Sequence, residues 1–356
     1  MKDRLTVAVC GAESACGQEM LTLLGDRGFP CQGVLAFASP GEAGGRVSFA
    51  GGDIALQELK DESFFGVDLA LFAMDAESAG RFAPLAAASA CTVVDASSRW
   101  RQDPRCPLVV PEVNPGALDA HKGIVALPGA CATAIAAALK PLAGLAGLAG
   151  VQATCLLAAS ALGEAGVREL DSQVRALFNA REPKLEAFPR RIAFNVLPQA
   201  GDFLEDESTE EEAGLAQELR RILDLPDLPV QATLAYVPVF YGHSVDLRFQ
   251  TVSAMSAREC RAVLSQAPGL QVYDNPRSGA WPHVEMCAGE DEIFAGRIRA
   301  QQGVENGLAM WLAMDNIRKG CALNAVQVAE LLFQKGLVRV EDRSAFRGEG
   351  PLAPHS

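Results

Sequence analysis

The stretch LTVAVCGAESACG, residues 5–17, decides the fold class. Its first six residues, Leu5–Cys10, form a short apolar run that is typical of a buried strand. Gly11 then permits a tight turn, and a helical pattern follows from about Gly17 to Gly25. A strand, a glycine turn and a helix in this order predict the first part of a parallel α/β sheet.

The same alternation continues along the first third of the chain. Apolar strands are predicted near 33–38, 68–73 and 92–95, and a helical pattern covers Ala76–Ala90 between two of them. Strands that alternate with helices favour a parallel sheet with helices on both faces. We therefore expect an α/β domain in this part of the chain.

A different pattern begins near residue 150. The runs Val151–Leu157 and Gln231–Pro238 are typical of strands, and Tyr241–Val252 alternates polar and apolar residues, which favours a more antiparallel sheet. The apolar segment Gly303–Leu332 is predicted as one long helix or a pair of helices. Residues 341–356 are predicted to form a flexible tail.

An acidic segment, Glu205–Glu212, leads into a predicted helix at Leu215–Leu223. Thr209 and Glu212 have the spacing of a capping box, and acidic residues interact favourably with the dipole at a helix N-terminus. We interpret this acidic run as a solvated helix start rather than as a binding site.

Composition excludes several classes of protein. The 356 residues carry a net charge of −13, which argues against nucleic acid or an anionic membrane as a partner. Neither a signal peptide nor a membrane-spanning apolar stretch is predicted. The ten cysteines lack the paired spacing of a zinc site or a small disulfide scaffold, so we expect no metal site. The prediction is a cytoplasmic protein in which most cysteines are reduced and buried.

The segment PGACAT, residues 128–133, contains a candidate nucleophile. It follows the strand-like run Gly123–Leu127 and opens an apolar helix that ends near Leu142. Cys131 therefore lies where free backbone amides and the helix dipole favour a thiolate. Either Cys131 is a catalytic thiol, or it is a small thiol of the core or the surface.

Five blocks of the sequence resemble aspartate-semialdehyde dehydrogenase. They occur in the family's order and together span roughly residues 5–335. They read VAVCGA at 7–12, PLVVPEVN at 107–114, IAFNVLPQ at 192–199, VPVFYGHS at 237–244 and DNIRKGCALNAVQ at 315–327. The chain is identified as a member of this family, and it most resembles the catalytically degenerate, Usg-type paralogues within it.

The resemblance implies a Rossmann-type domain at residues 1–130, completed by about 315–340, that binds NADP, with NAD as the alternative. It also implies an α/β dimerisation domain at 131–314, like that of glyceraldehyde-3-phosphate dehydrogenase, and hence a homodimer. The family reaction is the NADPH-dependent reduction of aspartyl 4-phosphate in lysine, threonine and methionine biosynthesis. A thiolate expels phosphate to give a thioester, and a hydride reduces that thioester.

The resemblance further implies roles for individual residues. His243 matches the family's acid/base histidine, and Arg101 matches the arginine that binds the substrate phosphate. The implied cofactor contacts are Gly11, Gly17, Ser39 and Asn316. Each assignment has a structural alternative: His243 as a hydrogen-bonded strand residue, and the glycine turn as a tight connection that binds no ligand.

The position of the catalytic cysteine is ambiguous. The family motif reads Asn-Cys-Ser/Thr-Thr after a proline, and a gap-free count from Leu139–Leu142 places Ala130 at its cysteine. Cys131 matches only with an insertion before it and a deletion after it. One residue on a helix turns a side chain by about 100° and moves it by ~1.5 Å, so the two registers differ in attack geometry. The sequence leaves both open.

Three positions of the substrate site depart from the family pattern. Tyr236 stands where an arginine would bind the substrate carboxylate, and Leu157 stands where a glutamine would position the substrate. Gly214 stands where a lysine would pair with Glu211. A tyrosine offers one neutral donor in place of a charged, bidentate clamp.

The cofactor site departs in a similar way. Ser14 replaces the central glycine of the turn, and Gly41 replaces the arginine that would bind the 2′-phosphate of NADP. Glu13 adds negative charge near the cofactor phosphates, and Glu42 stands beside the missing arginine. An acid at this place repels a 2′-phosphate but suits the free ribose hydroxyl of NAD.

Two functions of different classes follow. In the first, an intact scaffold carries an emptied site, and the protein has lost the semialdehyde dehydrogenase reaction and serves in binding or regulation. In the second, the protein is an active NAD(P)-dependent dehydrogenase that uses Cys131 and His243, with the family substrate or a less anionic one. A purely structural dimer partner is the third possibility.

Overall fold

This computed structural model describes residues 3–39 and 41–338. The chain divides into two units by its contacts: Met1–Gly129 with Cys321–Ser356, and Ala130–Gly320. The predicted tail at 341–356 lies outside the described residues. None of the described helices combines the length and the apolar character that crossing a membrane requires.

The first unit contains a seven-stranded sheet in the order β3-β4-β2-β1-β5-β6-β7. Its strands are β1 (Leu5–Cys10), β2 (Cys31–Ala38), β3 (Arg46–Phe49), β4 (Gly52–Glu58), β5 (Leu69–Phe72), β6 (Thr92–Asp95) and β7 (Ile124–Ala126). All neighbours pair in parallel except β3 and β4, which form an antiparallel edge hairpin. The parallel α/β prediction is confirmed, whereas the hairpin was not predicted.

Three helices pack on this sheet: α1 (Ala15–Asp26), α2 (Ala76–Ala88) and α8 (Leu323–Gln334). Leu21 and Leu24 of α1 and Val326 of α8 are almost fully buried in one hydrophobic cluster with β1 and β5. Strand β1 is nearly all apolar because helices or strands surround it on every side. The late helix α8 therefore belongs to the core of the N-terminal unit.

The second unit contains a six-stranded mixed sheet in the order β11-β12-β13-β10-β8-β9. Its strands are β8 (Gly150–Leu157), β9 (Val230–Tyr236), β10 (His243–Gln250), β11 (Leu270–Val272), β12 (Ile293–Ala300) and β13 (Gly307–Met314). The three pairings β8–β10, β10–β13 and β12–β13 are antiparallel, as the alternation at 241–252 predicted. The pairs β8–β9 and β11–β12 are parallel.

One face of this second sheet is covered by helices, namely α3 (Ala130–Ala146), α5 (Glu210–Leu223) and α6 (Ala257–Leu264). The side chains of β8 alternate accordingly: Ala153 and Cys155 are buried, and Gln152 and Thr154 are exposed. Two further helices are α4 (Gly163–Phe178) and the short α7 (Val284–Cys287). The capping box predicted at Thr209 and Glu212 is present at the start of α5.

The prediction of a helix or helix pair at Gly303–Leu332 is wrong over its first half. Residues Gly307–Met314 form β13, a central strand between β10 and β12. A wide π-helical turn at Arg318–Ala322 then leads into α8. The run GLAMWLAM is apolar without a period because a central strand is buried on both sides, and such a run is indistinguishable from a buried helix by pattern alone.

A disulfide joins Cys16, in the first turn of α1, to Cys321, which precedes α8. Their Cα atoms are 6.3 Å apart, and 305 positions of sequence separate them. The other eight cysteines are thiols outside this disulfide. The scattered spacing of the cysteines did not predict this pair, which links the two chain segments of the first unit.

Candidate active site and nucleotide-binding turn

His243 is the first residue of β10 and is only 4% exposed. Its Nδ1 accepts a hydrogen bond from the Ala158 backbone N–H, at 3.2 Å. Burial lowers the pKa of His243 to about 4, although a hydrogen bond with the Gly242 backbone and the charge of Asp315 oppose the shift. The imidazole is therefore neutral at pH 7, and because Nδ1 accepts the Ala158 hydrogen bond, the ring proton is on Nε2, which is a donor.

Asn316 holds the turn that precedes His243. Its Oδ1 accepts hydrogen bonds from the Gly242 backbone N–H, at 2.8 Å, and from the Ser160 hydroxyl, at 3.2 Å. Gly242 has φ +87°, and a Cβ there would lie 2.8 Å from Val284, so only glycine fits. Asn316 is thus a positioning residue for His243, and its contact with a cofactor stays a prediction.

The start of α3 presents Ala130 and Cys131 to different surroundings. A Cβ atom added to Gly320 would lie 2.6 Å from the Ala130 Cβ and 3.7 Å from the Asn316 Cβ. Ala130 therefore packs against the π-helical turn, on the side of Asn316. The segment 316–320 thus links the surroundings of Ala130 to the turn before His243, which Asn316 holds through Gly242.

Cys131 lies instead against the helix-covered face of the second sheet. It is 6% exposed, and its thiol hydrogen-bonds to the side chain of Cys155 on β8. That hydrogen bond, burial and the negative charges of Glu211 and Glu218 all raise the pKa of the Cys131 thiol. The expectation that the helix start favours a thiolate is therefore not met, because these three effects oppose the helix dipole.

Tyr236 and Leu157 end the neighbouring parallel strands β9 and β8, where they are paired in register. Tyr236 is 7% exposed and packs edge-on against Phe188, with ring centroids 5.2 Å apart. Burial, followed by the charge of Glu211, raises the pKa of Tyr236 to about 12. This corner of the site thus holds a neutral phenol and an apolar side chain next to an acidic residue. Gly214, on α5, adds no cation.

Arg101 lies in the first unit, beyond the end of β6. Its Nε donates to the Leu127 carbonyl at 3.1 Å, and its Nη2 donates to the Ala96 carbonyl at 3.2 Å. Asp95, the last residue of β6, is buried and accepts from the Ser97 hydroxyl at 2.6 Å. Burial raises the pKa of Asp95 to about 6. Hydrogen bonds from Ser97 and the positive charge of Arg101 lower the pKa, but they offset only part of this increase. Asp95 was not predicted, although an acid ending a buried strand is an identifiable signal.

The glycines of the β1–α1 turn are required by the turn itself. A Cβ on Gly17 would lie 2.2 Å from the Gly11 carbonyl oxygen, and a Cβ on Gly11 would lie 2.4 Å from the Ala73 carbonyl oxygen. Ser14 caps α1: its Oγ accepts from the Gly17 N–H and donates to the Gly11 carbonyl. The replacement of the central glycine by Ser14 thus keeps the turn closed, with the hydroxyl directed inward.

Glu13 crosses from this turn to the end of β2. Its Oε1 accepts a hydrogen bond from the Ser39 backbone N–H, at 3.0 Å. Its Oε2 is buried and has no hydrogen-bond partner within residues 3–39 and 41–338. A buried carboxylate oxygen without a donor is uncommon and calls for a group that supplies one. In the described part of the chain, no cluster of three or more histidine, cysteine or acidic residues could hold a metal ion.

Comparison with known proteins places this geometry in a family. One family model, the NAD-binding domain of semialdehyde dehydrogenase, matches residues 6–121, and another, the semialdehyde dehydrogenase dimerisation domain, matches 139–319. The aspartate-semialdehyde dehydrogenase of Aquifex aeolicus is 41% identical over 336 residues, which cover 93% of this chain and 99% of that protein. The chain belongs to the aspartate-semialdehyde dehydrogenase family.

Solved structures of the family agree. Aspartate semialdehyde dehydrogenase II from Vibrio cholerae, complexed with ASA, is 33% identical with a TM-score of 0.90, covering 94% of this chain and 99% of that one. A probable aspartate-semialdehyde dehydrogenase from Pseudomonas aeruginosa is 32% identical with a TM-score of 0.89, covering 94% and 100%. The fold and the family predicted from sequence are thereby confirmed, and the match to an NAD-binding domain supports a nicotinamide cofactor.

The family's site residues are thus only partly brought together in the second unit. His243, Asn316 and Ala130 are linked through Gly242 and the π-helical turn, whereas Cys131 faces Cys155 on the helix side of the sheet. Arg101, Gly11, Gly17 and Ser39 belong to the first unit. Their catalytic and binding roles stay predictions.

Proposed function

We propose that this member of the aspartate-semialdehyde dehydrogenase family has lost the thiol-dependent reduction of aspartyl phosphate and retains a domain for a nicotinamide dinucleotide. One observation carries the proposal: Ala130 packs on the side of Asn316, and the Cys131 thiol is turned to Cys155. The gap-free register, in which Ala130 takes the place of the catalytic cysteine, agrees with this orientation.

The chemistry explains why this orientation matters. The family reaction needs a thiolate that attacks the acyl carbon and expels phosphate, so that a thioester can accept a hydride. Cys131 is a poor source of a thiolate, because its pKa is raised by the Cys155 hydrogen bond, by burial and by Glu211 and Glu218. Ala130 supplies no nucleophile at all.

The substrate contacts support the same conclusion. Tyr236 and Leu157 stand where the family has an arginine and a glutamine, and the negative charge of Glu211 acts on Tyr236. The loss of a charge-assisted, bidentate pair with a substrate carboxylate typically costs roughly 2–5 kcal/mol of binding free energy. An acidic neighbour adds repulsion to that loss.

The competing function is an active NAD(P)-dependent semialdehyde dehydrogenase with Cys131 and His243 as its catalytic pair. Relatives such as the Aquifex aeolicus protein are named as aspartate-semialdehyde dehydrogenases, and His243 keeps a neutral imidazole that can move protons. This function requires the Cys131 thiol to leave Cys155 and ionise.

An activity assay separates the two functions. Purified protein is incubated with aspartate semialdehyde, phosphate and either NAD or NADP, and reduced cofactor is followed by its absorbance. We expect no turnover above that of the Cys131→Ser variant. Phosphate-dependent turnover that Cys131→Ser and His243→Gln both abolish would contradict the proposal.

Thiol labelling provides a second readout that does not depend on the substrate. With limiting iodoacetamide at pH 7.5, we expect mass spectrometry to find alkylation at Cys31, which is partly exposed, before Cys131. In the variant Ala130→Cys, the new thiol should react faster than Cys131, because position 130 is partly exposed whereas Cys131 is buried against Cys155. Preferential labelling of Cys131 in the wild-type protein would identify a reactive nucleophile and favour the active enzyme.

We also infer that the protein is a homodimer that associates through the open face of the second sheet. The match to a dimerisation domain at 139–319 supports this. Helices α3, α5 and α6 cover the other face, whereas Gln152, Thr154 and Arg248 are exposed on the open one. A half-covered central sheet of this kind is an ordinary site for association of two copies.

We further place the protein in the cytoplasm. Eight of its ten cysteines are thiols outside the disulfide, which is the usual state in a reducing compartment. The single disulfide links two segments of the same unit and does not form a secreted disulfide scaffold.

A further inference from the structure

We propose that Glu13 selects the cofactor of this chain, and that it selects NAD rather than NADP. The inference rests on the proposed function, in that it assumes a nicotinamide dinucleotide at the β1–α1 turn. It goes further by assigning the choice between the two dinucleotides to one carboxylate of the turn itself.

The position of the Glu13 carboxylate is fixed by one contact. Its Oε1 accepts from the Ser39 N–H at 3.0 Å, so the side chain spans from the turn after β1 to the end of β2. In Rossmann-type sheets, the adenosine ribose of a dinucleotide lies at this edge of the sheet. An acid there accepts hydrogen bonds from the free ribose hydroxyls of NAD, whereas a cation there binds the 2′-phosphate of NADP.

The usual place for that acid is the end of β2, which in this chain is occupied by Ser39. Glu13 brings a carboxylate to the same edge from the glycine turn. Its buried Oε2 has no donor among residues 3–39 and 41–338. A ribose 2′-hydroxyl would supply that donor, whereas a fully ionised 2′-phosphate has no proton to donate.

The surrounding charge acts in the same direction. The segment Ser39–Glu42 contains no lysine or arginine, and its exposed Glu42 adds a second negative charge. A 2′-phosphate carries close to two negative charges at pH 7 and would meet the Glu13 carboxylate, and this segment supplies no cation to compensate them. Burial strengthens this repulsion, because the local dielectric constant is lower than that of water.

The test is a binding measurement on the full-length protein, independent of any turnover. Isothermal titration calorimetry gives dissociation constants for NAD and NADP, and for ADP-ribose and its 2′-phosphate, which differ only at the ribose. We expect both 2′-phosphorylated ligands to bind roughly 10- to 100-fold more weakly than their unphosphorylated counterparts, the factor that corresponds to losing a hydrogen bond to a charged acceptor.

Three variants locate the effect. Glu13→Gln keeps the shape and the acceptor for Ser39 but removes the charge, and we expect it to weaken NAD and to reduce the discrimination. Glu13→Thr removes the carboxylate and should bring the two affinities to within about threefold, a difference below 1 kcal/mol. The matched control Glu42→Gln removes a nearby exposed charge that makes no contact with the Ser39 N–H, and it should change the ratio much less than Glu13→Gln does, because solvent screens an exposed charge.

Three results would overturn the inference. If NADP binds as tightly as NAD or more tightly, Glu13 does not select NAD, while the proposed dinucleotide binding still holds. If Glu42→Gln changes the ratio as much as Glu13→Gln, general surface charge sets the preference and the Glu13 contact does not. If neither dinucleotide binds at millimolar concentration, both the inference and the dinucleotide-binding part of the proposed function are wrong, whereas the loss of thiol chemistry is judged by the separate activity assay.

Discussion

At the scale of single residues, the environment decides what each group of this family site is able to do. His243 is the clearest case. Its identity and position agree with an acid/base histidine, yet burial lowers its pKa to about 4, so it carries no positive charge at neutral pH. In the same chain, burial raises the pKa of the Asp95 carboxyl to about 6. The same desolvation thus shifts a base and an acid in opposite directions.

These shifts predict two opposite pH dependences of stability. The folded pKa of His243 lies below the unfolded value of 6.5. The neutral imidazole therefore contributes fully to the free energy of unfolding above pH 6.5, and this contribution is lost as pH falls through about 4. The folded pKa of Asp95 lies above the unfolded value of 3.8, so its contribution is present below pH 3.8 and is lost as pH rises through about 6. Each change amounts to roughly 3 kcal/mol in the free energy of unfolding, and the two largely cancel in the wild-type protein.

Variants separate the two contributions. Relative to wild type, His243→Gln should gain stability as pH falls from 6.5 to 4, and Asp95→Asn should gain stability as pH rises over the same interval. Urea unfolding at several pH values measures both slopes, and imidazole nitrogen shifts in NMR report the His243 titration directly. An NMR titration midpoint of His243 above pH 6, or two variants with slopes of the same sign, would contradict the assignment.

Sequence alone could single out His243 and the glycine turn as candidates, because the blocks at 237–244 and 7–12 mark them. It could not predict the contacts that fix their chemistry. Asn316 bonds to Gly242 across 74 positions, and Glu13 bonds to Ser39 across 26. The orientation of Cys131 depends on which side of α3 meets Cys155. A shift of one residue in the alignment changes which side chain is expected on that side, so the sequence could not predict the orientation.

At the scale of elements, buried polar side chains on α4 hold the segment that follows it. Gln173 is fully buried; its Oε1 accepts from the Ile192 and Ala193 backbone N–H groups at 2.9 and 3.1 Å. Its Nε2 donates to the Glu169 carboxylate at 2.7 Å and to the Lys184 carbonyl at 3.0 Å. Glu169 in turn accepts from the backbone N–H groups of residues 186–188.

This network predicts a large cost for a small change of shape. In Gln173→Leu, the Ile192 and Ala193 backbone N–H groups lose their acceptor and the buried Glu169 carboxylate loses one of its donors, so the free energy of unfolding should fall by about 2–5 kcal/mol. The exposed Gln217→Leu on α5 is the matched control and should change stability by less than about 0.5 kcal/mol. Urea unfolding followed by circular dichroism measures both, and equal stabilities of the two variants would exclude a structural role for the network.

Elements were predictable where their pattern was distinctive. Strand β1 was predicted at its observed bounds, and the capping box at Thr209 and Glu212 predicted the start of α5. The failure at 307–314 has a physical cause, since a strand buried on both faces keeps no alternation of polar and apolar residues. The edge hairpin β3–β4 was missed for the opposite reason: it is short and mostly exposed, so no apolar run marks it.

At the scale of the whole molecule, the open face of the second sheet makes the proposed homodimer testable. Thr233, Thr154, Asp246 and Trp311 lie side by side across β9, β8, β10 and β13. Thr154 is exposed near the middle of this row. In an interface between two copies related by a twofold axis, a residue near the axis meets the same region of its partner.

Thr154→Arg should therefore convert a dimer into a monomer, since it places a bulky charge in each copy near the centre of the interface. Light scattering coupled to size exclusion should give about twice the 37.5 kDa chain mass for the wild type and the single chain mass for the variant. Thr22→Arg, at an exposed position on α1 in the other unit, is the control and should remain dimeric. A wild-type protein of single chain mass would refute the homodimer, and a Thr154→Arg variant that stays dimeric with an unchanged circular dichroism spectrum would move the interface to another surface.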